Sequence, residues 1–427
     1  ANFQNAKTKL SRCPLGPPFI PVMHEPTILS PKDPRLPEGY TGDVRLDGIA
    51  KWNRAPVENY DVQLLKETFL EIKDEVMSVL ALSGKKVSVL TKTEAINYCT
   101  EFDVSNPINR SSSAGVPWKH RFSGQGKHDY FRFDEKKGIH MINMEREEGR
   151  ALNHAIDATI DVCRKGGLVG LVLPTTLKDE LRPFKRIYET PKTRIFTPGP
   201  LHYTIANRMY FHAAVALIRE CRFALPTKIG IVPTSPEWDV MVRQFIAMNV
   251  RGFGSDFENF DASHMHIILD FVFDLLCEVY RRFDPKWTPQ DDEIRRNMGK
   301  SERHAFIQLN HELIVFLLGL FSGLPITGEI NSFADWVYLL YAWKVLSKAI
   351  DVSPKFRTYA SMKERVAMAI FGDDNEVHPK PKTLVWYNLR TVSKVLHEHL
   401  GVTMKGCDKS DILAESKHFM ELDFLKR

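Results

Sequence analysis

Apolar positions along this chain change period several times, and each change marks an element. Between residues 62 and 82 they fall at Leu64, Leu65, Phe69, Ile72, Val76, Val79 and Leu80, the spacing of an amphipathic helix. The same reasoning predicts a helix from about Thr93, another over residues 265–280, and one after Ser322 that buries Trp336, Val337, Leu340, Tyr341 and Val345. A further helix is expected over residues 384–400, through Val385, Leu389, Val392, Leu396 and Leu400, followed by a short strand at Val402-Thr403-Met404. Two stretches alternate instead. In residues 369–377 an apolar run reaches Gly372-Asp373-Asp374 and an alternation restarts beyond it, which predicts a β-hairpin with two acids at its tip. In residues 253–263 Asp256 is expected to end a strand, and Asp261 to stand near the start of the next helix.

Between these elements, Pro14, Pro17, Pro18, Pro21 and Pro26 predict an extended N-terminal arm draped over the rest, because proline removes a donor and fixes φ. Residues 111–118, Ser-Ser-Ser-Ala-Gly-Val-Pro-Trp, read as a loop closed by an aromatic, and residues 121–137 as an exposed polar insertion. There are no repeats. With 427 residues, 43% hydrophobic and 26% charged, the composition is that of a folded globular protein, and the net charge of +5 supports a polyanion partner only weakly. The longest apolar run, residues 313–321, is too short to cross a bilayer, no signal peptide is read, and no direct membrane insertion is expected. Cys13, Cys99, Cys163, Cys221, Cys277 and Cys407 show neither disulfide nor zinc spacing, which points to a reducing compartment.

The acids carry the first chemical signal. Neighbouring carboxylates at a tight turn repel unless a cation lies between them, although an Asp-rich turn without a metal has the same local sequence. Asp261 has the alternative of a helix-capping role. Asp256, beside Phe253 and Phe257, is badly placed as an unpaired charge. If Asp256 faces Asp373 across a sheet, the pair can hold two Mg²⁺ about 4 Å apart, as in-line phosphoryl transfer requires. A second signal is basic: Lys178, Arg182, Lys185, Arg186, Lys192, Arg194 and Arg208 outnumber Asp179, Glu180 and Glu189. Arg194 leads into Ile195-Phe196 and is expected on a strand, where its fork suits triphosphate or backbone phosphate. A third lies in Ser322-Gly323-x3-Thr327-x3-Asn331, where Thr327 and Asn331 share a helix face and could present a hydroxyl and an amide to one ligand; an N-capped helix is the plainer alternative. No Gly-x4-Gly-Lys-Ser/Thr occurs, which argues against a P-loop ATPase.

In this order the pieces resemble the RNA-dependent RNA polymerases of picornavirus-like positive-strand RNA viruses, from Lys32-Asp33-Pro34-Arg35-Leu36 to the end of the chain. Residues 178–194 resemble motif F, Asp256 and Asp261 motif A, Ser322 to Asn331 motif B, Gly372-Asp373-Asp374 motif C, Lys409 the motif D lysine and residues 424–427 motif E, while Ser113-Ala114-Gly115 is similar to a fingers element. The resemblance implies an α+β right hand: fingers over 1–210 and 264–323, palm over 211–263 and 324–427 as an antiparallel sheet backed by helices, and no thumb in this chain. It implies that Asp256 and Asp373, with Asp374 in support, hold two Mg²⁺, for which Mn²⁺ can substitute. One ion would lower the pKa of the primer 3′-hydroxyl and the other neutralise the departing pyrophosphate. Lys178, Arg186 and Arg194 would clamp phosphates, Asp261 with Ser322, Thr327 and Asn331 would test for the ribose 2′-hydroxyl, Arg182 and Gly323 would belong to the same nucleotide-binding set, and Lys409 would act as general acid.

Implied partners are RNA template and primer, nucleoside triphosphates, a protein primer and other viral replication proteins, at membrane-associated complexes in the host cytoplasm; which virus and host is not read from the residues, an arthropod virus being a guess. Two other functions fit parts of the pattern. A metal-dependent nuclease would need no ribose or triphosphate reader, and a non-catalytic RNA-binding or assembly module would bind RNA without incorporating nucleotides.

Overall fold

Residues 8–11, 23–58, 60–97, 102, 106–121, 126–350, 353–408 and 413–427 are described by a computed structural model. Eight long helices organise them: α1 (Val62–Leu82), α2 (Glu147–Arg164), α3 (Leu201–Glu220), α4 (Pro236–Met248), α5 (His266–Phe283), α6 (Pro289–Arg303), α7 (Thr327–Ala349) and α8 (Leu389–Leu400). Helix α1 follows its sequence pattern, with Leu65, Ile72, Val76 and Leu80 buried in one stripe and Asp61 accepting the Leu64 N–H at 2.9 Å as its cap. Helix α7 is different in kind. Every residue from Ser332 to Lys344 is buried, so it is a central helix enclosed by α1, α5, α8 and a sheet rather than an amphipathic one.

That sheet is antiparallel. Strand β1 (Arg251–Phe257) lies at its centre, and β2 (Val366–Phe371), β3 (Asp374–Pro379), β4 (Met404–Gly406) and β5 (Lys417–His418) complete it in the order β2-β3-β1-β4, with β5 on the opposite end of the edge that β4 uses. Alternation along β2 divides two cores. Val366, Met368 and Ile370 join the large core around α7, whereas Ala369 packs with Met241 and Phe245 of α4 and with Phe424, and Ala367 and Phe371 lie against that smaller cluster. Further along the fold, residues Val172–Pro174 pair in parallel with Phe306–Leu309, tying the part before β1 to the part after it.

Three expectations are corrected. Residues 121–137 are not simply an exposed insertion: Phe131–Asp134 pairs with Ile139–Ile142, and Tyr130 and Phe131 are buried, Tyr130 edge-on to Trp118 at 5.7 Å. The helix expected over 384–400 starts at Leu389 because Asn388 caps it in a reciprocal box with Thr391, leaving Val385 outside and 78% exposed. The strand expected at 402–404 runs over Met404–Gly406, since Val402 is buried before the ladder begins. Of the arm, Pro14, Pro17, Pro18 and Pro21 lie outside the described residues, as do Cys13 and Cys99. Its end does lie across the chain, His24–Pro26 pairing with Leu181–Pro183.

Candidate active site

The β2–β3 turn is built from Gly372 and Asp373, with Phe371 and Asp374 as the closing pair. Gly372 takes φ 70°, the left-handed value that a two-residue hairpin favours at its first central position. Because the turn uses Asp373, the first residue in register with β1 is Asp374, directly opposite Asp256. This corrects the expected Asp256–Asp373 facing pair: Asp373 stands at the tip beside it. Helix α7 holds the turn from beneath. Its Ser332 Oγ accepts the Gly372 N–H at 2.8 Å, and Asp335 Oδ2 accepts from Asn375 Nδ2 at 2.8 Å. Asn375 Oδ1 in turn accepts from Ser255 Oγ at 2.8 Å, so one buried network joins α7, β3 and β1. The sequence reading missed Ser332 and Asp335, because the groups they hold, Gly372 and Asn375, lie 40 residues further along the chain.

Negative charge accumulates above this network. Asp373 is reached by water at the tip, yet the surrounding protein desolvates its carboxyl enough to raise its pKa, and Asp256 and Asp261 push the same way while Arg194 and its own backbone N–H oppose them. Asp374 is pushed up to about 6 by desolvation, with Asp373, Asp423 and Asp256 adding to it, even though Asp374 Oδ2 accepts the Leu425 N–H at 2.7 Å. Burial also drives Asp335 well above the carboxylate range. Among the described residues no three His, Cys, Asp or Glu side chains make a ready metal cage. Hard carboxylate oxygens brought together across the β1–β3 register nevertheless fit Mg²⁺, which is commonly held by one or two carboxylates together with water and substrate phosphates.

The basic stretch folds toward the same place. Ile195–Phe196 is a short strand paired with Thr176–Leu177, and the Lys178 N–H donates to the Arg194 carbonyl at 2.9 Å, which extends the ladder to Arg194. Lys178 Nζ, Arg182 and Arg194 gather around Glu180 at 3.2, 3.7 and 3.6 Å. The Arg194 side chain stays 58% exposed and acts on Asp373, so it links the basic strand to the acidic turn. Arg186 donates to Thr190 Oγ1 at 3.4 Å, whereas Arg208 sits apart on α3, donating to the Asn106 carbonyl at 2.6 Å.

The Ser322–Asn331 segment is fastened to the residues that follow the basic strand. Thr197 donates both its N–H and its hydroxyl to the Ser322 carbonyl at 2.7 Å, and the Gly199 N–H donates to the Gly323 carbonyl at 3.2 Å. Gly323 has φ 116°, and a Cβ there would lie 2.6 Å from the Thr197 oxygen. Thr327 and Asn331 do occupy the start of α7, but the Thr327 hydroxyl donates to the Leu324 carbonyl at 2.8 Å, engaged in the loop rather than presented jointly with Asn331. Asn331 Oδ1 meets His264 Nε2 at 3.0 Å. Both oxygens of Asp261 accept from Lys51 Nζ at 2.7 Å, and that ammonium also lies 4.1 Å from the Trp52 ring centroid. Lys51 was missed because nothing near it in sequence announces a partner 210 residues away. Lys409 lies outside the described residues.

Residues 19–427 match the family described as viral RNA-dependent RNA polymerase. The RNA1 polyprotein of Tomato torrado virus is 28% identical over 99% of this chain and 19% of that polyprotein. The replicase polyprotein of Drosophila C virus is 25% identical over 79% of this chain and 19% of its own length, and that of Acute bee paralysis virus 26% over 86% and 18%. This chain thus spans about a fifth of the length of the curated relatives it matches. A solved structure, the Sicinivirus 3Dpol RNA dependent RNA polymerase, superposes with a TM-score of 0.73 at 20% identity, covering 96% of this chain and 75% of that one. The fold is therefore that of a right-hand polymerase, and the chain belongs to the viral RNA-dependent RNA polymerase family.

Proposed function

We propose that this chain carries out RNA-templated RNA synthesis by nucleotidyl transfer for a positive-strand RNA virus. The observation that carries the reading is the pairing of Asp256 with Asp374 in register, Asp373 beside them, and Arg194 acting on Asp373 from the basic strand. Asp256 and Asp373 would hold Mg²⁺ or Mn²⁺, with Asp374 in support. Bound there, the ions supply Lewis-acid activation of the primer 3′-hydroxyl and charge neutralisation of the triphosphate. Lys178, Arg182, Arg186 and Arg194 bind the phosphates, Asp261 and Asn331 read the ribose, and Ser322, Gly323 and Thr327 shape the loop that supports them. Lys409 is assigned the proton donated to the leaving pyrophosphate.

Fingers over 1–210 and 264–323 with a palm over 211–263 and 324–427 are supported by the parallel pairing of Val172–Pro174 with Phe306–Leu309, which joins the two finger stretches. Partners in this reading are RNA template and primer, nucleoside triphosphates and a protein primer. Relatives that are polyproteins support company with other viral replication proteins. The place of action in this reading is the host cytoplasm, at membrane-associated complexes. Primed incorporation of labelled UMP on a poly(A) template with Mg²⁺ tests the function. Incorporation that Asp373→Ala abolishes supports it; RNA shortening instead of extension favours a nuclease, and RNA binding without incorporation a non-catalytic module.

A further inference from the structure

His264 follows the short helix Phe260–Ser263, at the break before α5, and is completely buried. Its ring is held edge-on by Phe260 at 4.5 Å and lies 6.1 Å from the Tyr338 ring. Its two nitrogens have different neighbours: Nε2 meets Asn331 Oδ1 at 3.0 Å, and Nδ1 meets the Tyr338 hydroxyl at 3.1 Å. Burial holds its pKa down to about 4, with the Asn331 contact and Asp261 opposing, so the ring is neutral and has one N–H. An amide oxygen can only accept, which puts that N–H on Nε2 and leaves Nδ1 to accept from Tyr338.

We propose that His264 is a positioning residue for ribose selection: by donating to Asn331 Oδ1 it fixes the amide so that only the Nδ2 group is offered to the incoming nucleotide. The inference rests on the polymerase reading above. A 2′-hydroxyl both donates and accepts. Asn331 Nδ2 as donor together with the Asp261 carboxylate as acceptor matches both capacities, whereas an inverted amide would offer two acceptors to one proton. A 2′-deoxy sugar leaves both groups unpaired, and a site built this way penalises it.

The test compares kcat/KM for UTP and dUTP in primed extension on poly(A), using the full chain, His264→Leu, His264→Gln and Asn331→Ala. In His264→Leu the UTP value is expected to fall about tenfold while the dUTP value stays within about twofold, in line with one lost hydrogen bond. Glutamine carries an amide donor, so His264→Gln restores most of the preference for UTP. Asn331→Ala gives the same loss as His264→Leu, and combining the two lowers the preference no further. Equal falls for UTP and dUTP in both His264 variants would mean a packing role and overturn the proposal, and so would an unchanged ratio in His264→Leu. Should the Leu variant not fold, the Gln variant and the Asn331→Ala background still decide. An unmodified chain that extends the primer but uses UTP and dUTP alike overturns the proposal while leaving the polymerase reading intact; one that uses neither overturns both.

Discussion

Asp373 and Asp374 are neighbours in different surroundings. Asp374 has one oxygen committed to the Leu425 N–H, an acceptor role that an asparagine oxygen can keep, while Asp373 sits at the tip under the influence of Asp256, Asp261 and Arg194. Asp373→Asn is therefore expected to lower UMP incorporation about a thousandfold, and Asp374→Asn to retain a measurable fraction that Mn²⁺ increases. Comparable losses in the two variants, measured as kcat in single-nucleotide extension, would sink this division of labour. Lys51 makes a second case at this scale. Its pair with Asp261 is still reached by solvent, with side-chain exposures of 24% and 19%, so Lys51→Met should cost about 1 kcal/mol of stability. The freed Asp261 carboxylate loses its fixed position, and KM for UTP is expected to rise about fivefold with little change in the melting temperature. A large drop in melting temperature with KM unaltered would make Lys51 a structural residue only.

Among the elements, the contact between α3 and α6 has its own pH signature. Tyr203 and Asn207, four apart on α3, both donate to Glu302 Oε1 at 2.9 Å, and burial pushes the Glu302 pKa up to about 8 despite those bonds. A carboxyl whose pKa is raised on folding contributes its full stability below the unfolded value of 4.5, and that contribution is lost as pH rises through about 8. Glu302→Gln keeps the acceptor and removes the titration, so it should flatten the decline in melting temperature across that window and exceed the parent by a few degrees at alkaline pH. An equal decline in the two proteins would show that Glu302 is not the group responsible. Elements of this sort were unevenly legible in the sequence. Asp256 and the Asp373–Asp374 tip could be read because acids interrupting an apolar strand pattern are conspicuous, and α1 because its stripe has one face. The cap at Asn388 and the hairpin starting at Phe131 competed with a plausible period or a polar surface. The Ser332 and Asp335 supports, and the Lys51 and His264 contacts, depend on tertiary proximity that no local spacing encodes.

At the scale of the whole molecule, the acidic site is assembled from parts that only the fold brings together. Asp256 comes from β1, Asp373 and Asp374 from the β2–β3 hairpin, and the buried Asp335 beneath them from α7. The unfolded chain has no such cluster, so a divalent cation that binds it is linked to folding and raises stability in proportion to the logarithm of its concentration once above Kd. The same like charges act against the fold when no cation is present. Two opposite effects of one substitution follow. In EDTA, Asp373→Asn should melt above the parent, because it removes one member of a repelling set. With rising Mg²⁺ the parent should gain stability in a saturating way, about 1.4 kcal/mol at ten times Kd, while the variant gains much less. The two melting curves should therefore approach or cross as Mg²⁺ is added, which neither a general salt effect nor a mere loss of packing would produce. Calorimetry in EDTA and in a Mg²⁺ series at constant ionic strength makes the comparison. Parallel shifts in both proteins would mean that the cation binds elsewhere and that Asp373 is not among its ligands.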